Sequence, residues 1–285
     1  MKRTVLFGAG QVGAMIARLL GPEYEALCFA DNSEKKWGAA CQGLMILPPE
    51  KALSLGPDCI CLCVMDAERT GEMERQLSAL GFAGEVLRPE LLAAFDARAA
   101  VLRLLAEQIM ELGIAGDAAE LGVYRGDFAR LINAALPDRP LHLFDTFEGF
   151  AAADIAVERR EGLSHARAGD FADTGVEAVR RSLPHPERAV FHRGWFPESF
   201  AGCEGLSFAL VSLDADLYAP TAAALERFWP RLSPGGAIIV HDVNGTQYPG
   251  AGRAVREFCV AQGLLPMPVC DLHGSVVLRK PLRRG

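Results

Sequence analysis

The sequence predicts an α/β chain of two Rossmann-like domains, the second built on a seven-stranded sheet that closes with an antiparallel hairpin. Three observations predict it. Short β-rich runs alternate with longer helical runs along most of the 285 residues, the pattern of parallel α/β architecture. A strand–glycine turn–helix opening occurs twice, at "TVLFGAGQVGAMIARLL" and at "GDAAELGVYRGDFARLINAAL". The chain closes with "LLPMPVCDLHGSVVLRK", two strand-like runs separated by Asp271–Gly274, as a hairpin requires.

Length agrees with two domains at roughly 100–200 residues each, with expected boundaries at 1–95 and 98–285. Half the residues are hydrophobic and 23% are charged, a globular composition. The net charge of −7 argues against a nucleic-acid partner. The local exceptions, "LRRG" at the C-terminus and Arg159–Arg160 in an expected loop, read as solvated charge. No run of 18 apolar residues occurs, so no membrane partner is expected. Glycines interrupt "MKRTVLFGAGQVG" too early for a signal peptide. Eight cysteines without a secretory signal point to reduced thiols and a cytoplasmic location. Cys59, Cys61 and Cys63 fall on one face of a strand, where buried packing is expected; a straight strand alone cannot supply tetrahedral metal ligands.

In the first domain a strand over Thr4–Phe7 meets Gly8, Gly10 and Gly13 in G-x-G-x-x-G spacing, followed by a helix. The next strand, "ALCFAD", ends at Asp31, about 20 residues further on, as in the dinucleotide fingerprint. Further strands are expected at "PDCICLCVMD" and "GEVLRP", with a helix near residues 66–80. The unit ends by about residue 95, short of a six-stranded dehydrogenase domain, and no hydride-transfer apparatus follows it. Two readings stand: a nucleotide or nucleotide-sugar site at Gly8, Gly10, Gly13 and Asp31, or a module for packing or for homo-oligomer formation. The rival enzyme classes are a nucleotide-sugar-modifying enzyme or an NAD(P)-binding oxidoreductase using this turn. The rival outside enzymes is a non-catalytic Rossmann-type binding protein.

The second domain begins with a helix at roughly 98–112. A strand over Ala118–Leu121 then carries Glu120 into Gly122 and Gly126, in E-x-G-x-x-x-G spacing. "LHLFD" ends at Asp145, and later strands read "RAVFHRG", "FALVSLD" and "GAIIVHD". By fold analogy this is the architecture of class I methyltransferases. In open parallel sheets ligands bind at the carboxyl ends of the strands, so the acids at those ends should gather along one edge.

They divide into two sets. Glu120, Gly122, Gly126 and Asp145, with Thr146 beside it, suit a nucleoside with an amino-acid tail, S-adenosylmethionine (SAM), because the turn lacks a P-loop lysine. The competing reading is that Glu120 and Asp145 bond turn amides or cap helices. Gly194 and Trp195, after the fourth strand, are expected at the adenine; the alternative is that Trp195 and Phe196 pack in the core. Asp214, His241 and Asp242 suit a divalent cation, since Mg²⁺ keeps several waters and needs few carboxylates. Asp216, two residues beyond Asp214, would share its side of an extended segment and serve as the base. The alternative for Asp216 is capping of the helix that follows. Residues 146–172 show too little periodicity for a long element and are expected to form a lid-like connection. Its Arg159, Arg160 and His165 either face an acidic acceptor or are solvated. "NGTQYPGAG", after Asp242, is expected to border the acceptor pocket.

From about 98 to 280 the chain resembles the macrocin O-methyltransferase family. "AELGVYRGDFARLI", "LFDTFEGF", "RGWFPESF", "LVSLDADLYAPTAAALERFWPRLSPGGAIIVHD" and "GAGRAVREF" carry the resemblance, in order. It implies SAM-dependent, usually Mg²⁺-dependent, methylation of a sugar hydroxyl on a small-molecule saccharide acceptor. It also implies that Asp214 is a metal ligand and Asp216 the general base. The family's later acidic pair reads His241–Asp242 here, so only Asp242 transfers cleanly; an imidazole in the set brings Mn²⁺ or a transition ion beside Mg²⁺. The first 95 residues are similar to the N-terminal Rossmann-like module of sugar-modifying transferases.

Overall fold

The computed structural model describes residues 1–88, 96–245, 247–271 and 273–282. The expected end of the first domain near residue 95 and the arginines of "LRRG" lie outside the described residues. The chain divides into two compact units, Met1–Asp96 with Cys270–His273, and Ala97–Val269 with Gly274–Gly285.

The first unit runs β1 (Lys2–Phe7), α1 (Gln11–Leu19), β2 (Tyr24–Ala30), β3 (Ala40–Cys41), β4 (Leu44–Leu47), α2 (Pro49–Leu53), β5 (Cys59–Leu62), α3 (Ala67–Ala79) and β6 (Glu85–Leu87). Among the described residues the sheet order is β3-β4-β2-β1-β5-β6, parallel except for the β3–β4 pair. β5 is buried along its whole length, as a strand covered on both faces must be. Cys59, Cys61 and Cys63 are all buried there as free thiols. Helix α3 starts where the Asp66 carboxylate accepts a hydrogen bond from the Arg69 amide at 2.8 Å, an N-cap that satisfies one of the helix's orphan donors.

The second unit runs α4 (Ala97–Glu111), β7 (Asp117–Leu121), α5 (Asp127–Ala135), β8 (Leu141–Asp145), α6 (Ala152–Glu161), α7 (Val176–Ser182), β9 (Ala189–Arg193), β10 (Phe208–Leu213), α8 (Tyr218–Arg231), β11 (Leu232–Val240), α9 (Pro249–Gln262), β12 (Met267–Pro268) and β13 (Val276–Arg279). Its sheet has seven strands among the described residues, in the order β12-β13-β11-β10-β7-β8-β9. β13 is antiparallel to both β11 and β12, the terminal hairpin that the sequence predicts. One cluster of buried residues joins α4, α5 and β7–β8. Another joins α8, α9 and β10–β11, around Phe144, Phe196, Phe200, Phe208 and Phe228. Burying each such ring contributes roughly 1.5–3 kcal/mol, so both faces of the sheet are held.

Two expectations need correction. Residues 146–172 are not one long connection, because α6 occupies Ala152–Glu161 and contains both Arg159 and Arg160. Its buried positions are Asp154, Ile155 and Glu158. Two of the three are acids, which erases the apolar period a sequence reading depends on. Nor is the capping alternative for Asp216 realised: α8 starts at Tyr218, with Leu217 as N-cap and no side-chain cap.

Candidate active site

The carboxyl ends of the central strands are brought into line by hydrogen bonds that continue the ladder past each strand. The Gly194 amide donates to the Asp145 carbonyl, Gly122 to Phe144, Asp214 to Leu121 and His241 to Leu213, at 2.8–3.0 Å. Strand order therefore places the tips of β9, β8, β7, β10 and β11 side by side.

Glycine is required in the turn after β7. Gly122 has φ +83°, and a Cβ there would lie 2.0 Å from the Asp214 carbonyl oxygen. Gly126 opens α5 at φ +82°, where a Cβ would meet Val179 at 2.7 Å. Both bare positions are thus filled by the protein's own packing. Asp145 staples this turn to β8: one carboxylate oxygen accepts from the Val123 and Tyr124 amides at 2.7 and 2.9 Å, the other from Phe147 at 2.7 Å. The amide-bonding reading of Asp145 is therefore realised. Thr146 is engaged in its own turn, with its hydroxyl donating to the Gly149 carbonyl. Glu120 is 1% exposed, and one carboxyl oxygen has no hydrogen-bond partner. Burial holds it well above the ordinary carboxylate range, against the pull of Arg98. A buried acid with an orphaned oxygen beside a glycine turn fits a cationic amino-acid tail better than a pyrophosphate.

Trp195 and Phe196 part company. Phe196 is in the core, whereas Trp195 is 39% exposed and donates its indole N–H to Asp154 at 3.0 Å. Gly194, at φ +139°, makes the bend between β9 and that indole.

The acids after β10 and β11 form one network. Asp214 receives Arg98 Nη1 at 2.9 Å and His241 Nδ1 at 3.0 Å; the same Nδ1 lies 3.1 Å from Asp242. Burial favours a neutral Asp214, but the Arg98 and His241 cations outweigh it and hold the carboxyl well below its usual range. Burial alone would lower His241; Asp214 and Asp242 raise it to about 10. His241 Nδ1 hence sits between two carboxylates, which favour its charged form. Asp216 is pushed well above its ordinary value by burial first, then by Asp214 and Asp242, and it shares a hydrogen bond with Asp242.

Asp216 does not reach this network by extended alternation, as the sequence suggests. It sits at φ +58° in a tight turn in which the Leu217 amide donates to the Ala215 carbonyl at 2.5 Å. Asp242 is at φ +54°. Left-handed backbone at a non-glycine residue costs on the order of 1 kcal/mol or more and clusters at functional sites. Carboxylate oxygens of Asp214, Asp216 and Asp242 lie within 4.8 Å of one another, a donor set of hard oxygens suited to a divalent cation.

Sequence reasoning misses two residues of this region. Arg98 is 116 positions from Asp214 on a helix whose pattern is unexceptional; its guanidinium stacks 3.7 Å over Phe128 and also reaches the Ser212 hydroxyl. Glu158 on α6 accepts from the Tyr218 amide at 2.9 Å and from the Ser164 hydroxyl at 2.6 Å, fixing α6 to the start of α8. Beside these lies a cavity of 640 Å³ lined by Arg159, Ser164, His165, Asp170, Gln247 and Tyr248, among others. Burial and then the charges of Asp216, Asp170 and Asp242 raise the Tyr248 phenol, which places the cavity within electrostatic reach of the acid network. Arg159 and His165, but not Arg160, line it, as do Gln247 and Tyr248 from the segment after Asp242.

In the first unit, Gly8 has φ +116°, Gly10 precedes α1, and a Cβ on Gly13 would lie 2.0 Å from the Gly8 carbonyl. Asp31 accepts from the Ala9 amide at 2.8 Å and pairs with Lys36 Nζ at 2.8 Å. The carboxylate that would hold a ribose is bonded to the glycine turn itself.

A seven-stranded sheet with a reversed terminal strand, and an acid-bearing glycine turn facing an aspartate network, define a class I SAM-dependent methyltransferase. Residues 93–280 match the model of the macrocin-O-methyltransferase (TylF) family; the chain belongs to this family and is an O-methyltransferase. It is 35% identical over 187 residues to the 8-demethyl-8-(2,3-dimethoxy-alpha-L-rhamnosyl)-tetracenomycin-C 4'-O-methyltransferase of Streptomyces olivaceus, covering 62% of this chain and 70% of that one. It is 29% identical over 170 residues to the mycinamicin III 3''-O-methyltransferase of Micromonospora griseorubida, covering 55% and 66%. The solved O-methyltransferase NovP shares the fold, with a TM-score of 0.52 at 24% identity over 65% of this chain and 80% of NovP.

Proposed function

We propose that the chain transfers the methyl group of SAM to a hydroxyl of a sugar, on a glycosylated natural product or a related saccharide, with a divalent cation at Asp214 and Asp242. The observation that carries this reading is the oxygen cluster of Asp214, Asp216 and Asp242 at the strand tips next to the Glu120–Gly126 turn. The rhamnosyl group in the name of the Streptomyces relative supports a sugar acceptor.

Glu120 and the backbone of Gly122 to Gly126 hold the amino-acid tail of SAM. Asp145 keeps that turn in place and offers its remaining lone pairs to the ribose, with Thr146 shaping the turn behind it. Gly194 and Trp195 border the adenine. Asp214 and Asp242 fit Mg²⁺ or Mn²⁺ through their oxygens. A dication there would stabilise negative charge on the acceptor oxygen as its proton leaves. His241, expected among the ligands, serves instead as the protonated partner that orients both carboxylates. Asp216 takes the hydroxyl proton; burial and its acidic neighbours raise its proton affinity, as a base for so weak an acid needs. The cavity beside Tyr248 holds the acceptor and excludes water, so that oxygen, methyl carbon and sulfur are aligned.

The test is methyl transfer from labelled SAM to glycosylated acceptors. EDTA should abolish label transfer and Mg²⁺ restore it. Asp216→Asn should lose at least about 100-fold in turnover, the scale of a missing general base, while its SAM affinity stays within a few-fold of wild type. Transfer that is indifferent to EDTA removes the cation; near-normal turnover in Asp216→Asn removes the base.

A further inference from the structure

We propose that His142, His192 and Cys203 form a second metal site, for a thiophilic cation of the Zn²⁺ class, within the methyltransferase unit and separate from the strand-tip acids. His142 is on β8, His192 on the edge strand β9, and Cys203 in the turn before β10. One ligand atom from each lies within 4.8 Å of the other two. His142 Nδ1 and His192 Nε2 are 2.9 Å apart, and the Cys203 sulfur is 3.9 Å from the His192 ring nitrogens. Around tetrahedral zinc, with bonds of about 2.0–2.1 Å to nitrogen and about 2.3 Å to sulfur, nitrogens sit roughly 3.4 Å apart and sulfur roughly 3.6 Å from nitrogen. Two of the three separations are therefore within about half an ångström of a coordinating arrangement, and the third, between His142 and Cys203, is below 4.8 Å.

The surroundings agree. His142 Nε2 lies 3.1 Å from an Asp117 carboxylate oxygen. A carboxylate behind a ligating histidine fixes the tautomer and leaves the other nitrogen for the metal. Asp117 is the first residue of β7 and His142 the second of β8, so this pair stands toward the end of the sheet opposite the SAM turn. Phe144 stacks on His192 at 4.3 Å and Phe208 packs edge-on to His142 at 5.8 Å, giving an apolar shell. Burial and the neighbouring His142 hold His192 low, at about 4, so the ring is neutral as a ligand must be. Burial raises the Cys203 thiol, so binding as a thiolate releases its proton. Two imidazoles and a thiolate select Zn²⁺ over Mg²⁺, the opposite preference to the oxygen cluster. The bound cation would tie edge strand β9, which leads into Gly194 and Trp195, to β8 and to the turn before β10.

The experiment uses the full chain, stripped with a chelator and given one equivalent of Co²⁺ and then Zn²⁺. The expected result is a thiolate-to-cobalt charge-transfer band that Zn²⁺ abolishes. X-ray absorption of the one-zinc wild type should read one sulfur and two imidazole nitrogens, a readout that needs no variant. Cys203→Ala should lose the band, and Asp214→Asn should keep it. Absence of the band from the wild type, an all-oxygen or multi-sulfur zinc shell, or a band that survives in Cys203→Ala would each overturn the proposal.

Discussion

At the scale of single residues, charge placement decides what each acid does. Asp214 and Asp216 are two positions apart, yet their proton affinities move in opposite directions. Arg98 and His241 stabilise the first as an anion; burial and acidic neighbours disfavour charge on the second. Pairs of titratable groups driven apart in this way mark the division between a fixed charge and a proton acceptor. Asp154 offers a test outside the acid network. Burial raises its carboxyl to about 6, only partly offset by the Trp195 indole. Between pH ~3.8 and ~6 the folded chain therefore binds more protons than the unfolded chain, so this residue's contribution to stability falls as pH rises. Two pH units correspond to about 3 kcal/mol. Urea unfolding at pH 4 and pH 7 should show the wild type losing about that much relative to Asp154→Asn; parallel profiles would contradict the assignment.

At the scale of elements, the strand tips and the turns between them carry the site. Among the described residues, four of the six non-glycine residues with positive φ (Tyr124, Phe147, Asp216 and Asp242) follow strands β7, β8, β10 and β11. The ladder and the buried helices hold them there. Gly122 is where these tips touch. Gly122→Ala would force a methyl into the Asp214 carbonyl at 2.0 Å and a side chain into the left-handed region. It should destabilise the chain by more than about 2 kcal/mol, read by denaturant unfolding, and weaken SAM binding as β7 and β10 part. A variant of wild-type stability would show that the approach is not close. This scale also separates what the sequence discloses from what it hides. Glycine turns, strand-end acids and the closing hairpin are local patterns, and they are legible. The tight turn at Asp216 is not, because "DADLYAP" reads equally as extended chain. α6 is hidden because its buried face is acidic. Arg98 and Glu158 act on partners 116 and 60 positions away, and no local pattern announces such a pair.

At the scale of the whole molecule, two units each repeat the strand–glycine–helix opening, with different outcomes. In the first, Asp31 and Lys36 pair across the glycine turn. In the second, Asp145 is bonded to turn amides while Glu120 retains an orphaned oxygen. The same opening thus sets chemically distinct acids beside the two glycine turns, and in the second unit an aspartate cluster lies at the neighbouring strand tips. The family assignment rests on residues 93–280, which is that second unit almost exactly in extent. A divalent ion held by Asp214 and Asp242, as proposed, would stand next to the methyl group of bound SAM. The direct measurement is the NMR line width of that methyl resonance on the full chain as Mn²⁺ is added. Strong broadening in the wild type, lost in Asp214→Asn and Asp242→Asn at equal SAM occupancy, is the predicted result; a line that stays sharp in the wild type, or broadens equally in both variants, would contradict it.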